Sequence, residues 1–198
     1  MATTESLSLY GEDGNLKLSL VNYLLSIIGE APTVDENDLQ GDAAEAWRYA
    51  LSANRQIQMR GFDFNTITTT LMFDKTQRII HWSNSWISVR GVDGSKYYKR
   101  GNLLADSVGN TIFTQNIDVV IVHLIPMSDL PPVFLEWVRA KAAYDYQLSY
   151  QGDTALHQKL TSDLQLAMQA VTEYDITSGT DGGNFNIFNF KSYGSFRG

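Results

Sequence analysis

The sequence contains no cysteine among its 198 residues. Disulfide bonds and thiolate metal sites are therefore excluded, and folding does not depend on the redox state of a compartment. The chain also lacks any run of roughly 18 apolar residues, the length that a membrane span needs. Its first residues, MATTESLSLYGEDG, have neither the basic nor the apolar region of a signal peptide. We therefore expect neither export through a signal peptide nor contact with a membrane.

Positive charge is scarce as well. The chain has 15 basic against 22 acidic residues, a formal net charge of -7. A single copy that grips nucleic acid through a broad basic face is therefore excluded, and a DNA-binding regulator is disfavoured. The hydrophobic content of 43% is sufficient for a buried core in one domain or two small lobes.

Motifs for catalysis or cofactor binding are also missing. The sequence has no phosphate-binding GxxxxGK[ST] loop, no GxSxG turn and no strand-GxGxxG-helix unit. Its three histidines, none at the spacing of a metal-binding pair, are His81, His123 and His157. We predict no catalytic, cofactor-binding or metal-binding residues, and no cofactor.

Two segments near the start have helical periodicity. The first is predicted from about Leu16 to Ile28, with Gly29 as its stop. The second is predicted to begin with Asp42 as N-cap, with Glu45 completing a capping box, and to end at Gly61. Its predicted inner stripe is Ala43, Trp47, Ala50, Leu51, Asn54 and Ile57, with Arg48, Ser52 and Arg55 facing outward.

Two further helices are predicted in the last third of the chain. One begins with Pro131 and Pro132 in its first turn and ends near Gly152. Its apolar residues cover most of its circumference, which predicts burial on several sides: Phe134, Leu135, Trp137, Val138, Ala142, Tyr144 and Leu148. The last helix begins near Asp153 and carries one stripe, formed by Leu156, Leu160, Leu164, Ala167, Val171 and Tyr174.

Between these helix pairs the period changes to that of β-strands. In the stretch NRQIQMRGFDFN the change occurs at Gly61, and we predict Phe62 and Phe64 on one strand face with Asp63 opposite. FDFNTITTTLMFD and RIIHW are predicted to form a hairpin through DKTQ. WISVR, KYYKR, LLAD, TIF and IDVVIVHL continue the strand pattern, so an antiparallel β lobe is predicted from about Phe62 to Leu124.

The predicted fold class is α+β: an antiparallel helical bundle with an inserted antiparallel β lobe and an extended C-terminal arm. The predicted divisions are residues 1–61 and 127–176 for the bundle, 62–126 for the β lobe and 177–198 for the arm.

Carboxylates of the β lobe keep one enzymatic hypothesis open, because a glycosidase needs only two carboxylates at a suitable separation of about 5 to 10 Å. The candidates are Asp63, Asp74, Asp93, Asp106 and Asp118. Asp74, Asp93 and Asp106 fall in turn sequences, where aspartate is common for structural reasons, while Asp63 and Asp118 alternate with apolar neighbours as exposed strand residues do. Glu136 stands in the apolar LEWVRA, with Arg139 as an intrahelical partner.

Two segments suggest contacts with other molecules. KYYKR combines basic and aromatic residues, as nucleic-acid contacts do, although in an acidic chain an exposed or intersubunit strand edge is favoured. The segment NFNIFNF, Asn184 to Phe190, is uncharged and nearly alternating, so it is either disordered with its glycine-rich hinge or adds to a partner as a strand or anchor. We favour the partner. The residues predicted to contact a partner protein or a neighbouring copy are Phe185, Ile187, Phe188, Phe190, Tyr193 and Phe196.

Several blocks resemble a known family. VNYLLSIIGEAP and DAAEAWRYALSANRQIQMRGFDFN, followed by KYYKRGNLLAD and DVVIVHLIPMSDLPPVFLEWVRAKAA, resemble the tail tubular protein A family of short-tailed bacteriophages. The resemblance covers roughly Leu18 to Tyr150. It implies a helical bundle with an inserted β lobe.

The resemblance also implies a function. Members of this family are adaptors at the head-to-tail junction of the virion, assembled in the host cytoplasm. It implies a ring of twelve copies between the portal protein and a nozzle of the tail tubular protein B type, with tail-fibre attachment in some members. Phage DNA would pass through the ring without specific binding. The competing hypotheses are a tail-associated carbohydrate hydrolase that uses β-lobe carboxylates, and a soluble binding module that stays monomeric and does not bind the portal.

Overall fold

A computed structural model describes residues 15–37, 39–150 and 154–178. The chain divides into two compact units. The helical unit contains the described residues up to Asn54 and those from Met127 onward, and the sheet unit is Arg55–Pro126. Helices and one antiparallel sheet together confirm the predicted α+β class.

The described residues form four α-helices: α1 (Leu16–Ile28), α2 (Gly41–Gln58), α3 (Pro132–Leu148) and α4 (Thr154–Ser178). The predicted bounds of α1 are confirmed. Its start is capped because the Asn15 side chain accepts a hydrogen bond from the Leu18 N–H at 2.9 Å, and its end is closed by Gly29 at a φ of 79°. Pro132 is the first residue of α3 and Pro131 its N-cap, as predicted.

Helix α3 packs against both α1 and α4. It buries side chains over much of its circumference, as predicted: Phe134, Leu135, Trp137, Val138, Ala142, Ala143, Tyr146 and Gln147. Two predicted positions differ, because Tyr144 is half-buried and Leu148 is 55% exposed. Its partners contribute Leu20, Val21 and Leu24 from α1 and Leu160 and Val171 from α4. Burying each large apolar side chain contributes about 1.5–3 kcal/mol.

The prediction for the start of α2 is wrong. The helix begins at Gly41, so Asp42 lies inside its first turn and is not the N-cap. The Asp42 carboxylate instead accepts a hydrogen bond from the Tyr150 hydroxyl at 2.6 Å. A tertiary contact has therefore replaced the local capping box.

The rest of α2 follows the prediction in part. Arg48, Ser52 and Arg55 are exposed as predicted, but Leu51 is 46% exposed and the buried face includes Ala46 and Ala53. The helix ends at Gln58, three residues before Gly61.

The sheet unit holds five antiparallel strands in the order β1-β5-β2-β3-β4. They are β1 (Thr66–Leu71), β2 (Trp86–Gly91), β3 (Lys96–Arg100), β4 (Leu103–Ala105) and β5 (Ile117–His123). The strands predicted at WISVR, KYYKR, LLAD and IDVVIVHL are confirmed. One face of the sheet carries the core, formed by Ile80, Val89, Leu104, Phe113, Val119 and Ile121.

The predicted hairpin is wrong. Strand β1 pairs with β5, from Thr66 opposite Val122 to Leu71 opposite Ile117. RIIHW is not a strand but bridges to β4 through His81 and Leu103, and TIF is not a strand although Phe113 is buried. β-Propensity indicates that these segments suit a half-buried, extended conformation. Whether they form a strand depends on a pairing partner that lies far away in sequence.

The NRQIQMRGFDFN stretch also departs from the prediction. Residues Asp63–Asn65 form a 3₁₀ turn and not a strand, and the rings of Phe62 and Phe64 stack with centroids 5.7 Å apart. The Asn65 side chain holds the turn, because its oxygen accepts from the Phe62 N–H at 2.7 Å and its nitrogen donates to the Gln58 carbonyl at 3.0 Å. Strand geometry therefore starts only at Thr66.

The C-terminal arm predicted for residues 177–198 begins inside α4, which continues to Ser178. Residues 179–198 lie outside the described residues, and so do the six aromatic and aliphatic contact residues predicted there. Among the described helices, none is both long enough and apolar enough to cross a membrane.

Candidate assembly surfaces

A groove crosses the helical unit between α1, α3 and α4. Its volume is about 420 Å³. Its lining is Tyr23 from α1, Glu136, Arg139 and Ala140 from α3, and Asp163, Leu166, Ala167 and Ala170 from α4. The lining of this α4 groove thus combines three alanines with the charged side chains of Glu136, Arg139 and Asp163.

Arg139 organises the charged margin of the α4 groove. Its guanidinium lies over the ring of Tyr23, 3.8 Å from the centroid, and its Nη1 lies 3.5 Å from Glu136 Oε1. Burial raises the pKa of Tyr23, and the neighbouring Arg139 charge opposes that rise. The intrahelical partner predicted for Glu136 is thereby confirmed. Cation–π stacking and ion pairing restrict the conformation of the Arg139 side chain, so less conformational entropy is lost when a partner protein binds to it.

Large apolar side chains remain on the outer surface of α4. Leu166 is 64% exposed, Tyr174 42% and Met168 40%. The predicted stripe is buried at Leu160 and Val171 only. Of these three, Leu166 lines the α4 groove, and an exposed apolar side chain beside charged groups is typical of a protein–protein contact surface.

A second cavity, of about 390 Å³, lies in the sheet unit. It is lined by Val92, Asp93, Tyr97, Gln115, Asn116, Ile117 and Asp118. It contains two of the carboxylates considered for a hydrolase. Hydrogen bonds from the side chain and backbone N–H of Ser95 lower the pKa of Asp93. A glycosidase acid requires a raised pKa, so the shift has the wrong direction for that role.

The other turn aspartates have the structural role expected of them. Asp74 accepts hydrogen bonds from the backbone N–H groups of Thr76 and Gln77, each at 2.7 Å. Asp106 accepts from the backbone of Asn110 at 2.8 Å. These backbone hydrogen bonds lower the pKa of both carboxyl groups.

Asp118 and Asp63 are exposed, as their alternation predicted. The Asp118 carboxylate accepts a hydrogen bond from the hydroxyl of Thr70 on the neighbouring strand.

KYYKR is β3, which lies between β2 and β4. The expectation of a strand edge is therefore wrong, although Lys96, Tyr98, Lys99 and Arg100 are exposed. Arg100 donates to the Gly109 carbonyl at 2.7 Å, so its guanidinium stabilises the loop after β4.

The histidines are distributed over separate elements. His81 forms the bridge to Leu103, and His123 is the last residue of β5. His157, on α4, lies with its Nδ1 3.2 Å from Gln147 Oε1. Among the described residues, no group of three or more His, Asp or Glu side chains is placed to hold a metal ion.

Sequence patterns missed the α4 groove because it combines residues from three helices. Tyr23 and Arg139 are far apart in sequence, and only the packing of α1 on α3 brings the cation over the ring. One feature of the sequence indicates this surface: Leu166 is apolar but falls outside the predicted buried stripe of α4, so its exposure was predictable.

Fixed charges, exposed apolar residues and an open groove on a small α+β chain are typical of a structural protein that assembles with other proteins. A family model described as tail tubular protein matches residues 18–180. The chain therefore belongs to the tail tubular protein family of bacteriophages, which confirms the resemblance seen in the sequence blocks. It is a structural component of the virion tail that assembles with other tail components. No curated protein matches the chain.

Proposed function

We propose that this protein forms an adaptor ring that joins the portal to the nozzle of the tail and surrounds the DNA channel. The family match over residues 18–180 carries the proposal, because it extends through both units of the chain. The ring contains twelve copies, assembles in the host cytoplasm and serves as an attachment point for tail fibres. DNA passes through it during ejection.

The charge of the chain fits passage of DNA without specific binding. Each copy carries a net charge of -7, and twelve copies multiply that charge around one axis. Carboxylates near the channel repel phosphates, so DNA slides past and does not adhere.

Ring closure requires a heterologous contact, in which one patch of a copy meets a different patch of the next. The α4 groove with the exposed Leu166 supplies one such patch. The C-terminal arm supplies a second contact, made with the portal or with the neighbouring copy. The arm residues proposed for it are Phe185, Ile187, Phe188, Phe190, Tyr193 and Phe196.

Electron microscopy of the full chain mixed with recombinant portal tests the proposal. We expect a ring of twelve copies bound to one face of the portal. A chain that stays monomeric in the presence of the portal contradicts the adaptor role and supports the soluble binding module. Deleting residues 180–198 tests the arm: the truncated chain should keep its helical circular dichroism and lose the ability to join heads to tails. Joining at full efficiency by the truncated chain excludes a role of the arm.

A polysaccharide-cleavage assay separates the adaptor from the hydrolase hypothesis. We expect no cleavage by the purified protein. Cleavage that disappears in both Asp93→Asn and Asp118→Asn would assign the cavity of the sheet unit to catalysis, because these two carboxylates line it together.

A further inference from the structure

The two ends of the sheet differ in how their backbone groups are satisfied. At the β4 end, the segment Ile80–Trp82 covers the outer edge. The Leu104 N–H donates to the Ile80 carbonyl at 2.9 Å, and the Trp82 N–H donates to the Asn102 carbonyl at 2.8 Å. Together with the bridge from His81, these bonds leave β4 with a partner on both sides.

The β1 end is open. Within the described chain β5 is the only strand that pairs with β1, and no hydrogen bond from a loop backbone reaches its residues Thr66–Leu71. Alternate residues of an antiparallel edge strand direct their N–H and C=O groups outward, so about half of the backbone groups of β1 face away from β5.

Strand β1 also has none of the usual features that prevent edge pairing. Its sequence is TITTTL, without charge, proline or glycine. Exposed edges are normally protected by lysine, proline, a bulge or a short length, whereas β1 is six residues long and pairs with β5 without a bulge. Ile67 is 47% exposed, and Met72, just beyond the strand, is 78% exposed. The edge therefore offers both backbone hydrogen bonds and apolar contacts to an added strand.

We propose that β1 accepts the segment Asn184–Phe190 of a second copy of this chain as a sixth strand. This assignment rests on the proposed ring assembly and names the site on the neighbouring copy that the arm occupies. The segment NFNIFNF has seven residues and no charge, so it matches the length of β1 and buries no charge when it pairs. Phe185 and Ile187 are two residues apart, so they share one face of an extended strand and extend the apolar face beyond Ile67.

The connection to the arm fits such an exchange. Residues 179–183 separate the end of α4 from Asn184 and read GTDGG, which sets few restrictions on the path of the chain. Fully extended, these residues span about 3.3–3.6 Å each, or roughly 17 Å. Since the arm and the edge are different patches, each copy donates one strand and accepts one, which is the heterologous contact that a closed ring uses.

Cross-linking of full-length chains tests the proposal, and the absence of native cysteine makes the introduced thiols unique. Thr68→Cys and Asn186→Cys are made in two chains with different affinity tags. They are mixed with and without portal and treated with a short bis-maleimide. Its span covers both directly opposed and diagonal positions of paired strands, so the exact register does not matter. The matched control replaces Thr68→Cys by Val108→Cys, a 79% exposed position near the covered β4 end.

We expect cross-linked dimers carrying both tags from Thr68→Cys with Asn186→Cys, several-fold above the control yield. Yields equal to the control in both conditions overturn the proposal. The double variant with both cysteines in one chain identifies the donor: cross-links confined to single chains assign the strand to the same copy and also overturn the proposal.

Portal binding is measured on the same samples. Rings on the portal without the cross-link overturn the strand exchange and leave the adaptor function intact. Conversely, cross-linked copies that do not bind the portal support the exchange and overturn the adaptor function.

Discussion

The side-chain amide of Gln58 forms both hydrogen bonds that the backbone of Ile125 offers. Its Nε2 donates to the Ile125 carbonyl at 2.8 Å, and its Oε1 accepts from the Ile125 N–H at 2.8 Å. The side chain thus takes the place of a neighbouring strand just beyond the end of β5. Asn65 continues the arrangement by donating to the His123 carbonyl at 2.9 Å. The side-chain amides of Gln58, at the end of α2, and Asn65, just before β1, therefore hold the end of β5.

Replacing the buried Gln58 by methionine should destabilise the protein by about 2–4 kcal/mol, because the part-buried N–H and C=O of Ile125 lose their partners at nearly constant side-chain volume. Urea denaturation followed by circular dichroism measures the change. Gln115→Met, at an exposed glutamine of the same unit, is the matched control and should change stability by less than about 0.5 kcal/mol. Similar losses in the two variants would show that the Gln58 pairing contributes little.

Gly61→Ala should destabilise the protein more than Gly101→Ala. Both glycines have a positive φ, 74° at Gly61 and 61° at Gly101. Alanine at a positive φ strains the backbone by about 1 kcal/mol, so both variants lose this amount of stability. Only at Gly61 would the new Cβ also crowd its neighbours, since it would lie 3.1 Å from Val122 Cγ2 and 3.3 Å from Thr66 Oγ1, while the Gly101 site is open. Thermal unfolding of the two variants checks the order. Equal melting temperatures would mean that Val122 and Thr66 move aside without cost.

Alkaline pH should weaken the helical unit through Tyr146 and Tyr150. The Tyr146 hydroxyl donates to the Asp42 carbonyl at 3.1 Å, and burial raises its pKa well above the usual value near 10. The hydrogen bond to the Asp42 carboxylate likewise raises the pKa of Tyr150. Above about pH 10 the unfolded chain loses these protons while the folded chain keeps them, so stability is complete below pH 10 and falls as the pH rises.

Tyr146→Phe isolates this effect. At about pH 8 the variant should be less stable by about 0.5–1.5 kcal/mol, because the hydrogen bond to Asp42 is missing. Near pH 10.5 the difference should shrink, since only the wild type still loses stability through this tyrosine. Urea denaturation at the two pH values gives the comparison, and a difference independent of pH would contradict the raised pKa of Tyr146.

Leu166→Glu should impair ring assembly without unfolding the chain. The side chain is 64% exposed and lines the α4 groove, so a carboxylate there would have to be desolvated when a neighbour docks. Gln165→Glu adds the same charge at an exposed neighbouring position and should assemble normally. Ring formation on the portal, counted by electron microscopy, distinguishes the two. Normal rings from Leu166→Glu would place the contact elsewhere.

Local patterns were sufficient for much of this fold. The period and the stop at Gly29 predicted α1 to the residue, and Pro131 with Pro132 located the start of α3. The turn aspartates were also predictable, because Asp74 satisfies backbone groups two and three residues away. These features depend on interactions between residues that are close in sequence, so the order of the residues is sufficient to predict them.

Features that depend on distant partners were not predictable. Strand β1 pairs with a segment about fifty residues further on, so the hairpin suggested by DKTQ did not form. Asp42 lost its capping role to Tyr150, more than a hundred residues away. The α4 groove has the same origin, since Arg139 and Tyr23 meet only through helix packing. Gln58 could not be distinguished from other glutamines of α2 until Ile125 was placed beside it.

The covered edge of β4 has a consequence for copies that accumulate before they are built into a tail. A sheet with two open edges can extend in both directions, and an uncharged strand such as TITTTL would then start a fibre. Here the backbone hydrogen bonds that Ile80 and Trp82 form with Leu104 and Asn102 close one side, so an unwanted encounter between two open β1 edges stops at a pair. Among the described residues, β1 is therefore the one edge at which this sheet can be extended.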